Sequence, residues 1–326
     1  GWEAARQLVA ATTFLVHRPV FLLPRRAPAE PIWGRSLAGK FRSCRTKSAV
    51  VPDAAARIDW PPAPESREDR VALLKPPPAA PAMTLPVDAP DPALLDDLVA
   101  ANRILYSEGV VDGFGHVSAR HDKEPGRFLL ARSMAPGLVT GDDILTFDLD
   151  SNAVDAGSRA LYLERFIHSE IYKARPDVAA IVHSHSPSVI PFGATAVALR
   201  PIYHMSGFLG AGAPVFEIRD AGGDDTDMLI RSPALGAALA RRLGGAAVAL
   251  LRGHGNVVVA PSLRLAVFRA IYTEINARLE AEALLLGQGR VTFLNEKEAA
   301  AAAAANSPQV GRAWELWKHK AMGGSR

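Results

Sequence analysis

Val178-Ala-Ala-Ile-Val-His183-Ser-His185 is the stretch whose reading decides the fold. It follows the turn-prone Arg175-Pro176-Asp177 and reads as a buried β-strand, a continuous run of β-branched and small apolar residues. Side chains alternate across a strand, so His183 and His185 fall on one side, roughly 6–7 Å apart at the backbone. Two imidazoles so placed can converge on one divalent ion with bonds of about 2.0–2.1 Å. A second apolar run, 246–251, ends in Arg252-Gly253-His254-Gly255, where glycines permit a sharp turn and a close approach. Three imidazoles at strand ends, with coordination positions left over, describe a catalytic rather than a structural metal site. Taken singly, each histidine is as well explained by a hydrogen bond in the core or at the surface, so a further element has to be found.

Composition narrows the field around this stretch. Hydrophobic content of 48% and charged content of 22% are ordinary for a globular chain. The single cysteine, Cys44, excludes a disulfide framework and a cysteine-based zinc site. No apolar run approaches the roughly 20 residues of a bilayer span, so no membrane partner is expected, and a cytoplasmic setting is. Residues 1–82 hold 13 Lys and Arg against 7 Asp and Glu, a net of +6, which leaves −3 for residues 83–326. The basic balance belongs to the N-terminal stretch, and the remainder gives no reason to invoke nucleic acid.

That N-terminal stretch lacks sustained periodicity and ends in a proline-rich run, Lys75-Pro-Pro-Pro, so residues 1–82 are expected to stay outside the fold as a disordered extension. Its partly apolar, arginine-bearing segment 7–23 leaves a targeting peptide open. The simpler expectation is sequence upstream of Met83, the first methionine. A single catalytic domain is expected over 83–326.

Within it, Asp91-Pro92 is set to cap and start a helix carrying Leu94, Leu95, Leu98, Val99, Ile104 and Leu105. Gly113-Phe-Gly-His116-Val-Ser118-Ala-Arg120 reads as a turn into a strand, and 127–131 and 144–147 as further strands. Helices are expected over 161–174, 187–194, 233–243 and 262–286, the last with Ser262 as cap, and in the tail from Asn295 through Trp314 and Trp317. A strand is expected over 214–218. Strands and helices mixed without strict alternation indicate an α/β chain, a sheet covered by helices on both faces.

The further element is Glu164, 19 residues before His183 on the helix that feeds the metal strand. Together, Glu164, His183-Ser-His185 and Arg252-Gly-His254-Gly resemble the class II aldolase/adducin family over about residues 94–286. The resemblance implies a three-layer α/β/α fold with a central, mostly antiparallel sheet. It implies one divalent metal ion (Zn, Mn, Co or Fe) per chain on His183, His185 and His254, with Glu164 beside it as acid/base or fourth ligand. It also implies a homotetramer acting on a small-molecule substrate.

Departures from the family pattern shape the expected chemistry. Where the sugar-phosphate aldolases carry phosphate-binding serines, this chain has Tyr162 and Leu163, although Thr140-Gly141 is retained. The family's Gly-Asn-x-Ser turn is Gly115-His116-Val117-Ser118, and a catalytic tyrosine falls near His204. These blocks, with 200–204 and 220–227, are similar to the family's metal-dependent decarboxylase branch. Its members act on hydroxylated aromatic or pyridine dicarboxylates and carboxymuconic semialdehydes in aromatic catabolism. On that resemblance the proton donor is His116, Glu164 or His204. Arg120, Arg132 and Ser133 either bind a second carboxylate or, in the case of the arginines, form ordinary ion pairs. A lyase or epimerase acting on a hydroxylated aldehyde or sugar stays open, as does a metal-free interaction module of the adducin kind.

Overall fold

The computed structural model describes residues 88–323; the N-terminal stretch 1–82, with its expected disorder or targeting role, lies outside them. Asp91 accepts a hydrogen bond from the Ala93 N–H and Pro92 occupies the first turn of α1 (Pro92–Ser107), as a capped start requires. Five-residue strands follow: β1 (His116–Arg120), β2 (Arg127–Ala131) and β3 (Ile144–Asp148). A short 3₁₀ turn leads into α2 (Phe166–Ala174), then β4 (Ala180–Ser184). Two short helices, α3 (Ile190–Ala194) and α4 (Arg219–Gly222), bracket the two-residue β5 (Val215–Phe216). Helix α5 (Pro233–Leu243) precedes the hairpin of β6 (Val248–Leu251) and β7 (Gly255–Ala260). The chain closes with α6 (Leu263–Leu286), α7 (Glu296–Asn306) and α8 (Val310–Ala321).

The seven strands form one sheet in the order β3-β2-β1-β4-β7-β6-β5. Every pairing is antiparallel except β5 with β6. Period-two alternation divides the core. Leu129, Ala131, Val182, Val258 and Ala260 turn to one face, with buried residues of α1 and α6 and with Trp314 and Trp317 of α8. Phe128, Leu130, Ile181, Val257 and Val259 turn to the other, with Ile167 and Ile171 of α2 and Leu239 and Leu243 of α5. Both faces are covered, which is why the strands read as near-continuous apolar runs. Each such valine, leucine, isoleucine or phenylalanine side chain contributes about 1.5–3 kcal/mol by leaving water. The expected three-layer architecture is the observed one.

Three elements differ from expectation. The helix over 161–174 is interrupted because Glu164 has φ −91° and ψ 19°, outside helical values. The strand over 214–218 shortens to Val215–Phe216 because the chain turns at Glu217, whose carboxylate accepts from the Arg219 N–H. The helix over 187–194 keeps only its last five residues, Pro191 standing in its first turn.

Candidate metal centre

His183 shares the face of Ile181 on β4 and lies opposite His116 of β1 and Val257 of β7. His185 follows one residue past the strand. His254 comes from the β6–β7 turn, where Gly253 takes a left-handed φ of +63°. A Cβ on Gly255 would stand 2.0 Å from the Ser184 carbonyl oxygen, so β7 can start against the end of β4 only as glycine. The close approach is thus between two backbones, and it sets the His254 and His185 Nε2 atoms 2.9 Å apart.

Glu164 completes the group. Its backbone sits in the sparsely allowed bridge region, which turns the carboxylate toward the strand ends. Oε2 is 3.5 Å from Nε2 of His183 and of His254, and Oε1 accepts from the Ile230 N–H at 2.9 Å. The ligand atoms of Glu164, His183, His185 and His254 all lie within 4.8 Å of one another.

Two of the rings have their tautomer fixed from behind. His183 Nδ1–H donates to the Asn256 carbonyl (3.1 Å) and His254 Nδ1–H to the Met228 carbonyl (3.0 Å). A carbonyl only accepts, so the hydrogen is on Nδ1 and the Nε2 lone pair faces the cluster. His183 Nε2 is buried with no hydrogen-bond partner. Inward lone pairs, an orphaned nitrogen and a facing carboxylate fit a divalent cation.

Electrostatics agree. Burial pushes the Glu164 carboxyl up, but the His183 and His254 rings outweigh it and hold the group well below the usual carboxylate range. Burial pulls His254 down, and the bond and charge of Glu164 overcome it to leave the imidazole raised. His185 falls to about 4 through burial and its two histidine neighbours. His116 is held well below its ordinary value by burial, then by His168 and His183.

Glu164, His183 and His185 of the cluster line a cavity of about 610 Å³, within the range of small-molecule sites. His116, Ser133 and Tyr162 line it, together with Phe114, Met134 and Leu229, which the sequence reading had not singled out. The Tyr162 ring tilts against His116 at 4.6 Å and its hydroxyl donates to the Met134 carbonyl. Arg132 adjoins Ser133 in the chain but is not among the residues that line the cavity; its Nε is bonded to Asp143 Oδ1 at 2.6 Å, and its terminal nitrogens make no hydrogen bond among the described residues.

Other expected residues are not brought to the cavity. Ser118 is wholly buried, bonded to His168 and Tyr172. Arg120 stands at the far end of β1, donating to the carbonyls of Val178, Pro125 and Tyr172 at 2.8–3.0 Å. Thr140 spends its N–H and hydroxyl on Asp143 Oδ2, with Gly141 in the same short turn. His204 is exposed, and its carbonyl accepts from Asn306. The sequence reading missed the backbone at Asn256, Met228 and Ile230 that orients the ligands. Only Asn256, directly after Gly253-His254-Gly255, had a visible signal. Met228, with φ 72°, had none.

This fold and site define a class II aldolase-like protein. Residues 96–281 match the family described as Class II Aldolase and Adducin N-terminal domain, and the chain belongs to that family. Decarboxylase tropJ of Talaromyces stipitatus is 37% identical over 256 residues, covering 72% of this chain and 95% of that protein. The 3,4-dihydroxyphthalate decarboxylase of Arthrobacter keyseri is 28% identical over 241 residues, covering 68% and 90%. An aldolase II superfamily protein from Pseudomonas syringae shares the fold at a TM-score of 0.61 and 22% identity, over 72% of this chain and 94% of that one. The relatives named decarboxylases agree with the branch that the sequence resembles.

Proposed function

We propose that the protein is a divalent-metal-dependent carbon–carbon lyase that decarboxylates a hydroxylated aromatic dicarboxylate, or a related pyridine or muconate diacid. The observation that carries this reading is the convergence of Glu164, His183, His185 and His254 within 4.8 Å, the first three of them lining a cavity that also presents His116 and Ser133. It is supported by relatives named decarboxylases, one of them for a dihydroxylated aromatic diacid.

His183, His185 and His254 would hold the ion, Zn, Mn, Co or Fe, with Glu164 as fourth ligand. A bound dication supplies positive charge beside the electrons left on the substrate when carbon dioxide departs, a contribution of several kcal/mol. Arg132 and Ser133 receive the second carboxylate, since guanidinium nitrogens pair with carboxylates through charge-assisted bonds. Tyr162, Phe114 and Leu229 exclude water from the reacting carbon. His116, whose ring is 5.0 Å from that of His183, is the proton donor to that carbon. Glu164 is held ionised and His204 lies outside the cavity, which leaves His116 that role.

Sugar-phosphate chemistry has less to stand on, because Thr140 is already spent on Asp143. Phe114 and Leu163 rim the cavity at 68% and 59% exposure, an apolar edge that supports a homo-oligomer, with a tetramer as the expectation. Among the described residues no helix is long and apolar enough to cross a membrane; a cytoplasmic setting belongs to the proposal. The test is carbon dioxide release from ortho-hydroxy aromatic dicarboxylates by the metal-loaded chain. Release that chelation abolishes is expected. No release, with aldehyde formed from sugar acids instead, would replace this reading with an aldolase.

A further inference from the structure

Behind His116 runs a chain of three buried polar side chains that holds no metal ligand. His116 Nδ1 is 2.7 Å from His168 Nε2, and His168 Nδ1 is 2.6 Å from Ser118 Oγ. Ser118 Oγ is in turn 2.8 Å from the Tyr172 hydroxyl. His168 and Ser118 are fully buried and Tyr172 is 1% exposed. Burial keeps His168 neutral, its imidazole pushed down to about 3, and pushes the Tyr172 phenol up above its ordinary value. Each member therefore carries its ordinary complement of hydrogens.

The direction of such a chain is decided at its closed end. Among the described residues, Ser118 Oγ is the only hydrogen-bond partner of the Tyr172 hydroxyl. A buried phenol must place its hydrogen somewhere, so Tyr172 donates to Ser118. Ser118 then gives its own hydrogen to His168 Nδ1, which leaves the His168 hydrogen on Nε2, directed at His116 Nδ1. His116 is thereby a neutral imidazole whose hydrogen is on Nε2, the nitrogen free of the chain, on a ring that lines the cavity. Run the other way, the same contacts strand the phenol hydrogen without an acceptor, which disfavours that arrangement roughly tenfold to a hundredfold.

We infer that Tyr172, Ser118 and His168 are positioning residues that fix His116 as the Nε2–H tautomer, making it a standing hydrogen donor to the cavity. This deepens the role proposed for His116, and it gives Ser118 a task remote from substrate. His168 can serve because its two nitrogens offer one acceptor and one donor at once; a glutamine amide offers the same pair.

The test is nitrogen NMR of the full chain labelled at histidine, with the His116 signals assigned by their loss in His116→Asn. For the wild type, Nε2 is expected to carry the hydrogen in more than about nine-tenths of molecules. Tyr172→Phe removes one oxygen and with it the bias, so the two tautomers should approach about equal populations. His168→Gln should retain Nε2–H, whereas His168→Phe should not. A wild-type ring protonated at Nδ1, or a Tyr172→Phe spectrum unchanged from it, would overturn the inference. The readout needs no substrate. The expected tautomer in a chain that releases no carbon dioxide would refute the reaction and leave the inference intact; release with the opposite tautomer would do the reverse.

Discussion

Two cavities of about 610 Å³ lie at opposite ends of the same central strands, and only one of them has the makings of a site. At the carboxyl end of β4, imidazole and carboxylate lone pairs face one another across a few ångströms. At its amino end the lining arginines donate to neighbouring groups, Arg269 keeping a buried Nε without a partner among the described residues, and no cluster of imidazole and carboxylate ligands converges there. Arg175 donates to Asp177 and to the carbonyls of Gly244 and Ala246, and Arg269 donates to the Val259 carbonyl. Equal volume carries no chemistry. What distinguishes the ends is whether acceptors are left facing an interior that a cation would satisfy. The arginines on the two flanks repeat the contrast: Arg120 is consumed by carbonyls, while the terminal nitrogens of Arg132 have no partner among the described residues.

The comparison breaks most sharply at the ligands. His183→Ala should lower turnover at least about a thousandfold, the equivalent of several kcal/mol, and abolish stoichiometric metal with little change in far-UV circular dichroism. Gly255→Ala attacks the joint that creates the metal end. The new methyl would meet the Ser184 carbonyl, so β7 must part from β4. A loss of about 3 kcal/mol is expected, read as a fall in Tm of roughly 6–12 °C.

Next come the paired arginines. Arg132→Ala should raise KM for a diacid about 10- to 100-fold with kcat nearly kept, the effect of one charge-assisted contact. Arg120→Ala should leave KM unchanged and cost about 1–3 kcal/mol of stability, because it strands buried carbonyls. Reversal of this pattern in steady-state kinetics and melting would exchange the roles of the two flanks.

The smallest effect lies away from both cavities. Glu280 of α6 is buried, and burial pushes its carboxyl up to about 7 despite bonds from the Arg200 N–H and Asn276. The folded state then holds more protons than the unfolded one between the ordinary value of 4.5 and about 7, so stability falls as pH rises through that window. Glu280→Gln should flatten this slope, seen as a Tm above wild type at pH 8 and matching it near pH 4.

Much of this was legible in the sequence, for identifiable reasons. Capping residues act within three positions, so Asp91 and Ser262 marked the starts of α1 and α6. Strand alternation placed His183, and the glycine pair around His254 announced a constrained turn. The resemblance carried by Glu164, His183-Ser-His185 and the His254 turn implied a carboxylate beside the metal strand. What the sequence did not show depends on tertiary neighbours. Arg120 and Arg132 look alike in a string of letters; only the packing reveals which one has its donors spent. Ser118 has the composition of a ligand-binding turn, yet β1 turns it inward against α2. His204 occupies a place where relatives were expected to carry a catalytic group, but its turn leaves it outside the cavity. The backbone carbonyl at Met228 leaves no trace in residue identity at all.

On the proposed function, four side chains from separate parts of the chain share one cation. Metal analysis of the full chain after loading and desalting, beside His183→Ala and His254→Ala, tests it most directly. About one equivalent of a divalent ion per wild-type chain is expected, with under about a tenth in either variant and all three folded. A folded wild type that retains less than about a tenth of an equivalent would contradict it.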